Sequence, residues 1–381
     1  MQLKHSFLAL ALAVVASAPI AVTAQPMTLP PSGGNQQASV TQHLGLVRVT
    51  IDYSSPDVTG PNGEDRTGKI WGQLVPWGMV NLGFGPAEVS PWRAGANQNT
   101  VFTVSHDVLV QGRPLPAGSY GFHIVPAETG EWTLIFSKDH ASWGSFFYDP
   151  ALDALRVETR PKENPYTHWL TYEFTDRQLD RATVELQWEN LSIPFEITVP
   201  DHLDLYVASL RQELQSTRGF NWQGWSAAAQ FCLQNDINLE EALTWAEAAI
   251  STPFIGQENF TTLQTKGALL RKLAREEEAA EVMTKAVEHP TAGPTQIHQY
   301  GRQLLTEGRK EAAMEVFETN AKRFPDTWPT DVGLARGYSA LGRYDKALEH
   351  AKKAHERAPN KLNKDSLAQA IETLKKGQDI N

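Results

Sequence analysis

The chain has 381 residues, and 34 Lys and Arg against 44 Asp and Glu give it a formal net charge of −10 at pH 7. This acidity argues against a nucleic-acid partner, because phosphate binding requires clustered cationic side chains. Cys232 is the only cysteine, which excludes an internal disulfide framework and a thiolate metal cluster. Its neighbours are typical of a packed helix face, where a buried thiol is inert.

Residues 1–24 have the pattern of a secretory signal peptide. Lys4 and His5 precede an apolar stretch, and small residues follow it before Gln25. The stretch is shorter than the roughly 18 to 20 residues that a membrane-spanning helix needs, although an uncleaved anchor remains the alternative. We therefore expect an exported protein, periplasmic or extracellular, with no integral membrane segment after cleavage of the signal peptide.

Residues 25–40 are rich in Pro, Gly, Gln and Ser, which predicts a flexible leader. Residues 41–200 carry short apolar alternations separated by Gly, Pro, Asn and Asp. The predicted strands are residues 46–53, 100–105, 119–125, 131–138, 154–160, 168–174, 181–188 and 192–199. Short strands with turn residues at this spacing predict an all-β sandwich, immunoglobulin-like or jelly-roll-like.

The motif WRAGAN, beginning at Trp92, places an indole, a guanidinium and an amide before a predicted strand. In a structural corner, Gly95 supplies a positive φ, Asn97 closes the loop through its amide, and Arg93 stacks on an indole. An aromatic ring beside a planar donor is also how proteins bind sugars and carboxylates. The second interpretation is therefore a ligand site formed by Trp92, Arg93, Asn97 and Trp143.

Several phrases of this region together resemble a known family. They are LVPWG at residues 74–78, WRAGAN at 92–97, LPAGSY at 115–120, EWTLIFSK at 131–138, Trp143-Gly144, Tyr148 and residues 153–157. In this order they resemble the secreted bacterial family called domain of unknown function 2911, over roughly residues 39 to 200. The resemblance implies architecture and compartment but no activity. In that family the first two phrases lie nearly adjacent, whereas here residues 81–91 separate them.

Three histidines recur at a spacing of 17 residues, namely His106, His123 and His140, and Asp107 and Asp139 adjoin two of them. Such a set raises the question of a metal site or an acid/base cluster, but strands of similar length produce the same spacing by chance. The sequence contains no GxSxG, HExxH, phosphate-loop or dinucleotide motif. We therefore predict no metal, no cofactor and no catalytic residue, and a binding protein rather than an enzyme.

Residues 202–381 have helical spacing and an internal repeat of 34 residues. The positions that recur at this interval are Gly267, Gly301 and Ala335; Ala279, Ala313 and Ala347; and Met283, Phe317 and Ala351. Small residues recur where two helices touch closely, and apolar residues recur one turn later on the same face. Pro290, Pro325 and Pro359 close successive units, because proline does not continue a helix. The pattern predicts stacked helix pairs.

The last of these units resembles the tetratricopeptide repeat (TPR). Its matching positions are Ala335, Tyr338, Gly342, Tyr344, Ala347, Ala354 and Pro359. The preceding unit matches less completely because Asn320 stands where a small residue is usual. A weaker unit covers residues 222–251, and residues 363–376 are predicted to form the polar helix that caps a stack.

Stacks of helix pairs form grooves that commonly bind peptides or partner proteins. Candidate groove side chains are Gln264, Gln299, Gln303 and Arg336. The predicted function is therefore that of a binding or scaffold protein of the cell envelope, with a protein or peptide as partner. Two alternatives stay open: repeats that only stabilise the sandwich, and a carbohydrate-binding, small-ligand-binding or hydrolase site around Trp92.

Overall fold

The computed structural model describes residues 34–381. The signal peptide predicted at residues 1–24 lies outside the described residues, as does most of the predicted leader. The chain divides into two compact units, Met1–Pro200 and Asp201–Asn381. We call them the β-unit and the helical unit.

Ten strands form two antiparallel sheets within the described part of the β-unit. They are β1 (Gln36–Leu44), β2 (Val47–Ser55), β3 (Thr100–Val104), β4 (Val108–Val110), β5 (Arg113–Leu115), β6 (Gly118–Val125), β7 (Trp132–Ser137), β8 (Asp153–Thr159), β9 (Lys162–Thr175) and β10 (Arg181–Thr198). The larger sheet has the order β1-β2-β3-β6-β7-β8 and the smaller β5-β4-β10-β9. The predicted all-β sandwich is confirmed.

The core of the β-unit lies between the two sheets and is aromatic. Phe102, Phe122 and Phe136 come from neighbouring strands of the larger sheet, and Phe195 comes from the smaller sheet. The rings of Phe122 and Phe195 are 5.4 Å apart, and those of Phe102 and Phe136 are 5.1 Å apart. Full burial of each such side chain contributes roughly 1.5–3 kcal/mol, so this cluster holds the sheets together.

Two strand predictions differ from the structure. β1 begins at Gln36, inside the predicted leader. Its polar residues pair with β2, starting with Gln36 opposite Ser55, and the backbone hydrogen bonds of this pairing form a strand that the composition does not predict. Residues 181–188 and 192–199 form the single strand β10. Glu189 interrupts it with a φ of 54° and a register shift, so the predicted break is a β-bulge.

The helical unit contains ten α-helices. They are α1 (His202–Leu214), α2 (Trp222–Asn235), α3 (Leu239–Ser251), α4 (Phe260–Lys272), α5 (Glu276–Glu288), α6 (Pro294–Thr306), α7 (Lys310–Arg323), α8 (Trp328–Ala340), α9 (Tyr344–Arg357) and α10 (Lys361–Lys375). The pairs α2/α3, α4/α5, α6/α7 and α8/α9 follow one another, and α10 packs on α9. The predicted helix pairs are confirmed, and α10 coincides closely with residues 363–376, which the sequence predicts to form the helix that caps the stack. Among the described residues, no helix combines the length and apolarity needed to cross a bilayer.

Close packing explains the small residues of the 34-residue repeat. A Cβ at Gly301 would lie 2.4 Å from the ring of Phe317, and one at Gly267 would lie 2.6 Å from the sulfur of Met283. In these two pairs, the first helix therefore receives a bulky side chain of its partner against a glycine. Between the helices of a pair, Gly308 and Gly342 have φ values of 78° and 72°, which favour glycine at these turns.

Candidate functional site

The WRAGAN motif forms a tight loop that leads into β3. Positive φ values occur at Ala94 (49°) and Asn97 (56°), so the prediction that Gly95 supplies the positive φ is wrong. Gly95 is required for space, since a Cβ there would lie 2.7 Å from the hydroxyl of Thr100. The carbonyl of Ala94 accepts hydrogen bonds from Thr100 (3.1 Å) and from the buried hydroxyl of Tyr172 (2.7 Å). The loop is thus fixed to the sandwich.

Arg93 lies within this loop with its guanidinium stacked on a phenyl ring. The ring is that of Phe146, 5.1 Å away, and not the indole that the sequence predicts. Nη1 donates to the carbonyl of Asn97 at 2.6 Å, while the amide of Asn97 accepts from Asn35 instead of closing the loop. Burial lowers the pKa of Arg93, and within residues 34–381 no carboxylate forms an ion pair with it. The loop therefore presents an uncompensated, half-buried cation.

Trp92, Arg93 and Asn97 line one cavity of about 310 Å³. The indole of Trp92 stacks on that of Trp188, with 6.2 Å between ring centroids. Three of the four predicted ligand residues therefore converge. Trp143 does not line this cavity and is 50% exposed, although its neighbour Gly144 packs against the guanidinium of Arg93.

Two further residues of the cavity are not predicted from the sequence. Ser90 and Trp188 line it, and both are almost fully buried. The Ser90 hydroxyl and the Trp188 indole N–H have no hydrogen-bond partner among the described residues. A buried polar group without a partner costs about 1–3 kcal/mol, so both residues carry an unsatisfied polar group at the wall of the cavity. No local motif marks either residue.

The insertion at residues 81–91 does not separate the two phrases of the family in space. Val80 and Ser90 pair at its base through backbone hydrogen bonds of 3.1 and 2.8 Å. Gly78 and Trp92 consequently line the same cavity. The insertion is a loop closed at its base, and it contributes Ser90 to the cavity wall.

His123 contacts a residue that lines this cavity. Its Nδ1 lies 3.3 Å from the hydroxyl of Ser145, which lines the cavity. Burial lowers the pKa of His123 to about 4, Asp139 raises it in part, and Arg93 lowers it further. The imidazole is therefore neutral at pH 7. A histidine bonded to a hydroxyl is one part of a nucleophilic site, and a third group that orients the histidine is the other part. In the described residues, no hydrogen bond joins the ring of His123 to Asp139.

The other residues of the histidine and aspartate set do not converge on one point within the part of the chain that the structure describes. His106 bonds the adjacent Ser105 at 2.9 Å, His140 is exposed, and Asp107 accepts a hydrogen bond from the backbone of Ala117. Across residues 34–381, no three His, Cys, Asp or Glu side chains are grouped so that they could hold a metal ion.

The predicted groove residues lie on the first helices of the pairs. Gln264 on α4 is half-buried, and Gln299 and Gln303 on α6 are exposed. Gln303 donates to Glu307 at 2.9 Å. The first helices α6 and α8 pack directly on each other, as do the first helices α2 and α4.

Arg336, the fourth predicted groove residue, is covered by the chain itself. Its guanidinium donates to the carbonyl of Ile380 at 3.2 Å, and its carbonyl accepts from the amide of Asn381 at 3.1 Å. The neighbouring Ser339 donates to Asp379 at 2.6 Å. Arg336 is therefore occupied by the chain itself, because an extended segment that follows α10 folds back onto α8.

A second arginine belongs to this face. Arg302 on α6 stands 34 residues before Arg336, is exposed, and takes part in none of the ion pairs of the described residues. Between α6 and α8, burial lowers the pKa of His298 to about 4, and both arginines lower it further. We call Arg302, Arg336 and Ser339 the basic face. The 34-residue period itself predicts that the two arginines occupy equivalent positions of successive repeats, although Arg302 is not among the candidate groove side chains.

These features define a two-unit protein in which an antiparallel sandwich with an aromatic cavity precedes a TPR-like stack of helix pairs. Residues 35–197 match the family described as "Protein of unknown function (DUF2911)", which confirms the resemblance of the β-unit. No curated protein matches the chain.

The solved structures to which the chain is similar include three TPR proteins. The C-terminal part of a TPR repeat-containing protein from Cytophaga hutchinsonii is 14% identical, with 45% of this chain and 66% of that chain covered and a TM-score of 0.35. A thermophilic TPR protein of Thermus thermophilus is 19% identical, with 45% and 90% covered and a TM-score of 0.31. YrrB, described as a TPR protein with an unusual peptide-binding site, is 21% identical, with 45% and 84% covered and a TM-score of 0.31.

Proposed function

We propose that this is an exported binding or scaffold protein of the cell envelope, and that its helical unit binds a partner protein or peptide. The observation that carries the proposal is the extended segment seated on the basic face. Export rests on the signal pattern of residues 1–24. N-terminal sequencing of the protein recovered from outside the cytoplasm should give a mature chain that begins near Gln25, whereas an intact N-terminus there would contradict cleavage.

The segment at residues 379–381 is bound as a peptide ligand would be. Ser339 donates to the Asp379 carboxylate and accepts from the backbone N–H of Ile380 at 3.1 Å. Both side-chain and main-chain groups are thus recognised, which is how grooves bind extended peptides. Arg302 and Arg336 add two cations without carboxylate partners in the described residues. The partner is therefore an extended acidic segment, since it complements this charge.

The chain's own segment competes with such a partner. A tethered segment acts at an effective concentration on the order of 1 mM, so it excludes weak ligands and yields to stronger ones. Arg302 of the basic face and the nearby Gln299 on α6 stay exposed. A partner can therefore contact α6 before it displaces the segment from α8.

Loosening the segment is expected to open the basic face. A fluorescent peptide copying residues 377–381 should bind the full-length Asp379→Ala variant at least about tenfold more tightly than the unmodified chain, as measured by anisotropy. Adding Arg336→Gln to that variant should abolish binding, because Arg336 donates to the bound main chain. Lys322→Glu, an exposed charge change on α7, serves as the control. Equal peptide affinity for all variants would exclude the basic face as the binding surface.

A second candidate function is small-ligand binding by the β-unit. It is favoured by the convergence of Trp92, Arg93 and Asn97 on one cavity that also holds unpartnered polar groups. The hydrolase variant has less support, because only the Ser145 and His123 pair lies at the cavity.

A further inference from the structure

We propose that the cavity beside Trp92 binds a small organic monocarboxylate and that Arg93 pairs with its carboxylate group. The inference rests on the second candidate function, small-ligand binding by the β-unit. Nothing in the family description assigns a ligand to this region.

The positive charge of Arg93 favours a carboxylate ligand. Its one hydrogen bond within the described residues uses Nη1, and stacking on Phe146 fixes the plane of the guanidinium. The remaining N–H donors are left for a ligand. Half-burial of a cation without a counter-ion is unfavourable, and a planar carboxylate is the anion that a guanidinium fork binds with two parallel hydrogen bonds. A carboxylate in the cavity removes this penalty.

Two residues that line the cavity carry polar groups without a hydrogen-bond partner in the described residues, and these groups also favour a ligand with acceptor atoms. The indole N–H of Trp188 is a donor only, and the Ser90 hydroxyl also lacks a partner, although both side chains are at least nine-tenths buried. A ligand that satisfies them must supply acceptors. The two oxygens of a carboxylate offer about four acceptor positions, which is enough for Arg93 and for one of these groups.

The polarity and the charge of the residues that line the cavity restrict the class of ligand that it can bind. Leu74, Val75, Val80 and Trp92 make the cavity largely apolar, and its lining holds no Asp or Glu in the part of the chain that the structure describes. The described lining offers the side-chain amides of Asn35 and Asn97 but no carboxylate, so it has few side-chain acceptors for the many hydroxyl groups of a sugar.

Phosphate is also a poorer fit than a monocarboxylate. The other arginine that lines the cavity, Arg66, is ion-paired with Glu64, so among residues 34–381 a single free cation lines the cavity. One cation neutralises a monocarboxylate but not a phosphate dianion. At about 310 Å³ the cavity is at the lower end of the size range of small-molecule sites, which indicates a small ligand with an apolar body.

The test uses the full chain and a set of matched probes. Benzoate, hexanoate and 3-phenylpropionate are titrated by calorimetry and by ligand-observed NMR, each beside its neutral amide and beside inorganic phosphate. We expect at least one of the three acids to bind at least about tenfold more tightly than its amide and than phosphate, because charge-assisted hydrogen bonds are about twice as strong as neutral ones.

Variants locate the binding. Arg93→Gln should weaken binding of the acid at least about tenfold and leave the amide unchanged. Ala96→Phe, which fills the cavity without removing a side-chain hydrogen bond, should abolish binding of both. Ser90→Ala gives a milder loss and keeps the test usable if Arg93→Gln does not fold. Phe254→Ala, at an exposed site in the helical unit, is the control.

The possible results distinguish two claims, namely that the cavity is a ligand site and that its ligand is a monocarboxylate. Equal binding of acid and amide, both lost in Ala96→Phe, would keep the cavity as a ligand site but overturn the carboxylate assignment, as would tighter binding of phosphate. Absence of binding by every probe, or binding that Ala96→Phe leaves intact, would overturn the cavity as the site altogether.

Discussion

Replacing Phe317 with alanine is expected to lower the free energy of unfolding of the helical unit by about 3–5 kcal/mol. The side chain is fully buried, and its ring fills the space that Gly301, Gly333 and Gly337 leave open on α6 and α8. Because these glycines have no side chain that could move into the gap, the cavity left by the substitution cannot collapse. This is the largest stability effect that we expect from a single substitution.

Hydrogen exchange measured by mass spectrometry tests this prediction segment by segment. Peptides from α6 to α8 should exchange faster in Phe317→Ala, by the factor that corresponds to the lost free energy. The matched control is Phe254→Ala, since Phe254 belongs to the same unit but is fully exposed, and we expect a change below about 0.5 kcal/mol. A similar effect of the two substitutions would show that the ring of Phe317 does not hold α6 and α8 together.

Acidification from pH 6.5 to pH 4 is expected to cost the β-unit on the order of 3 kcal/mol through His123 alone. Burial lowers the pKa of its imidazole to about 4 in the folded chain, whereas the ordinary value is 6.5. Between these values the unfolded chain binds the proton and the folded chain does not. The stability is therefore complete above pH 6.5 and is lost as the pH falls through the interval.

The His123→Gln variant should remove this pH dependence from the β-unit. Glutamine retains a hydrogen-bonding group for Ser145 but does not titrate. Exchange rates of β6 and β7 peptides, corrected for the intrinsic effect of pH, give the slope of stability against pH. His140→Gln, an exposed change in the same unit, is the control. If the slope of His123→Gln equals that of the unmodified chain, another group causes the acid sensitivity.

The local features of the candidate site are readable from the sequence. The WRAGAN motif indicates by composition alone that an aromatic ring, a cation and an amide crowd together at Trp92, Arg93 and Asn97, and the cavity contains all three. Trp143 shows the limit of such reasoning, because membership in the same set of family phrases does not bring its side chain into the cavity. Composition predicts proximity only within a single loop.

The basic face shows the same limit in the helical unit. The repeat period places Arg302 and Arg336 at equivalent positions, which follows from the sequence because each repeat reproduces the geometry of the one before. That residues 379–381 return to cover Arg336 does not follow, since no periodic pattern encodes a contact between the end of α10 and α8.

Period-two alternation and the 34-residue repeat determined by themselves that a sandwich precedes stacked helix pairs, because these patterns record which face of each strand or helix is buried. The tertiary structure alone decided where the cavity lies. Ser90 reaches it through pairing at the base of an inserted loop, and Trp188 reaches it on a strand that bulges at Glu189. Such contacts depend on register and long-range packing, which residues distant in sequence settle only when the chain has folded.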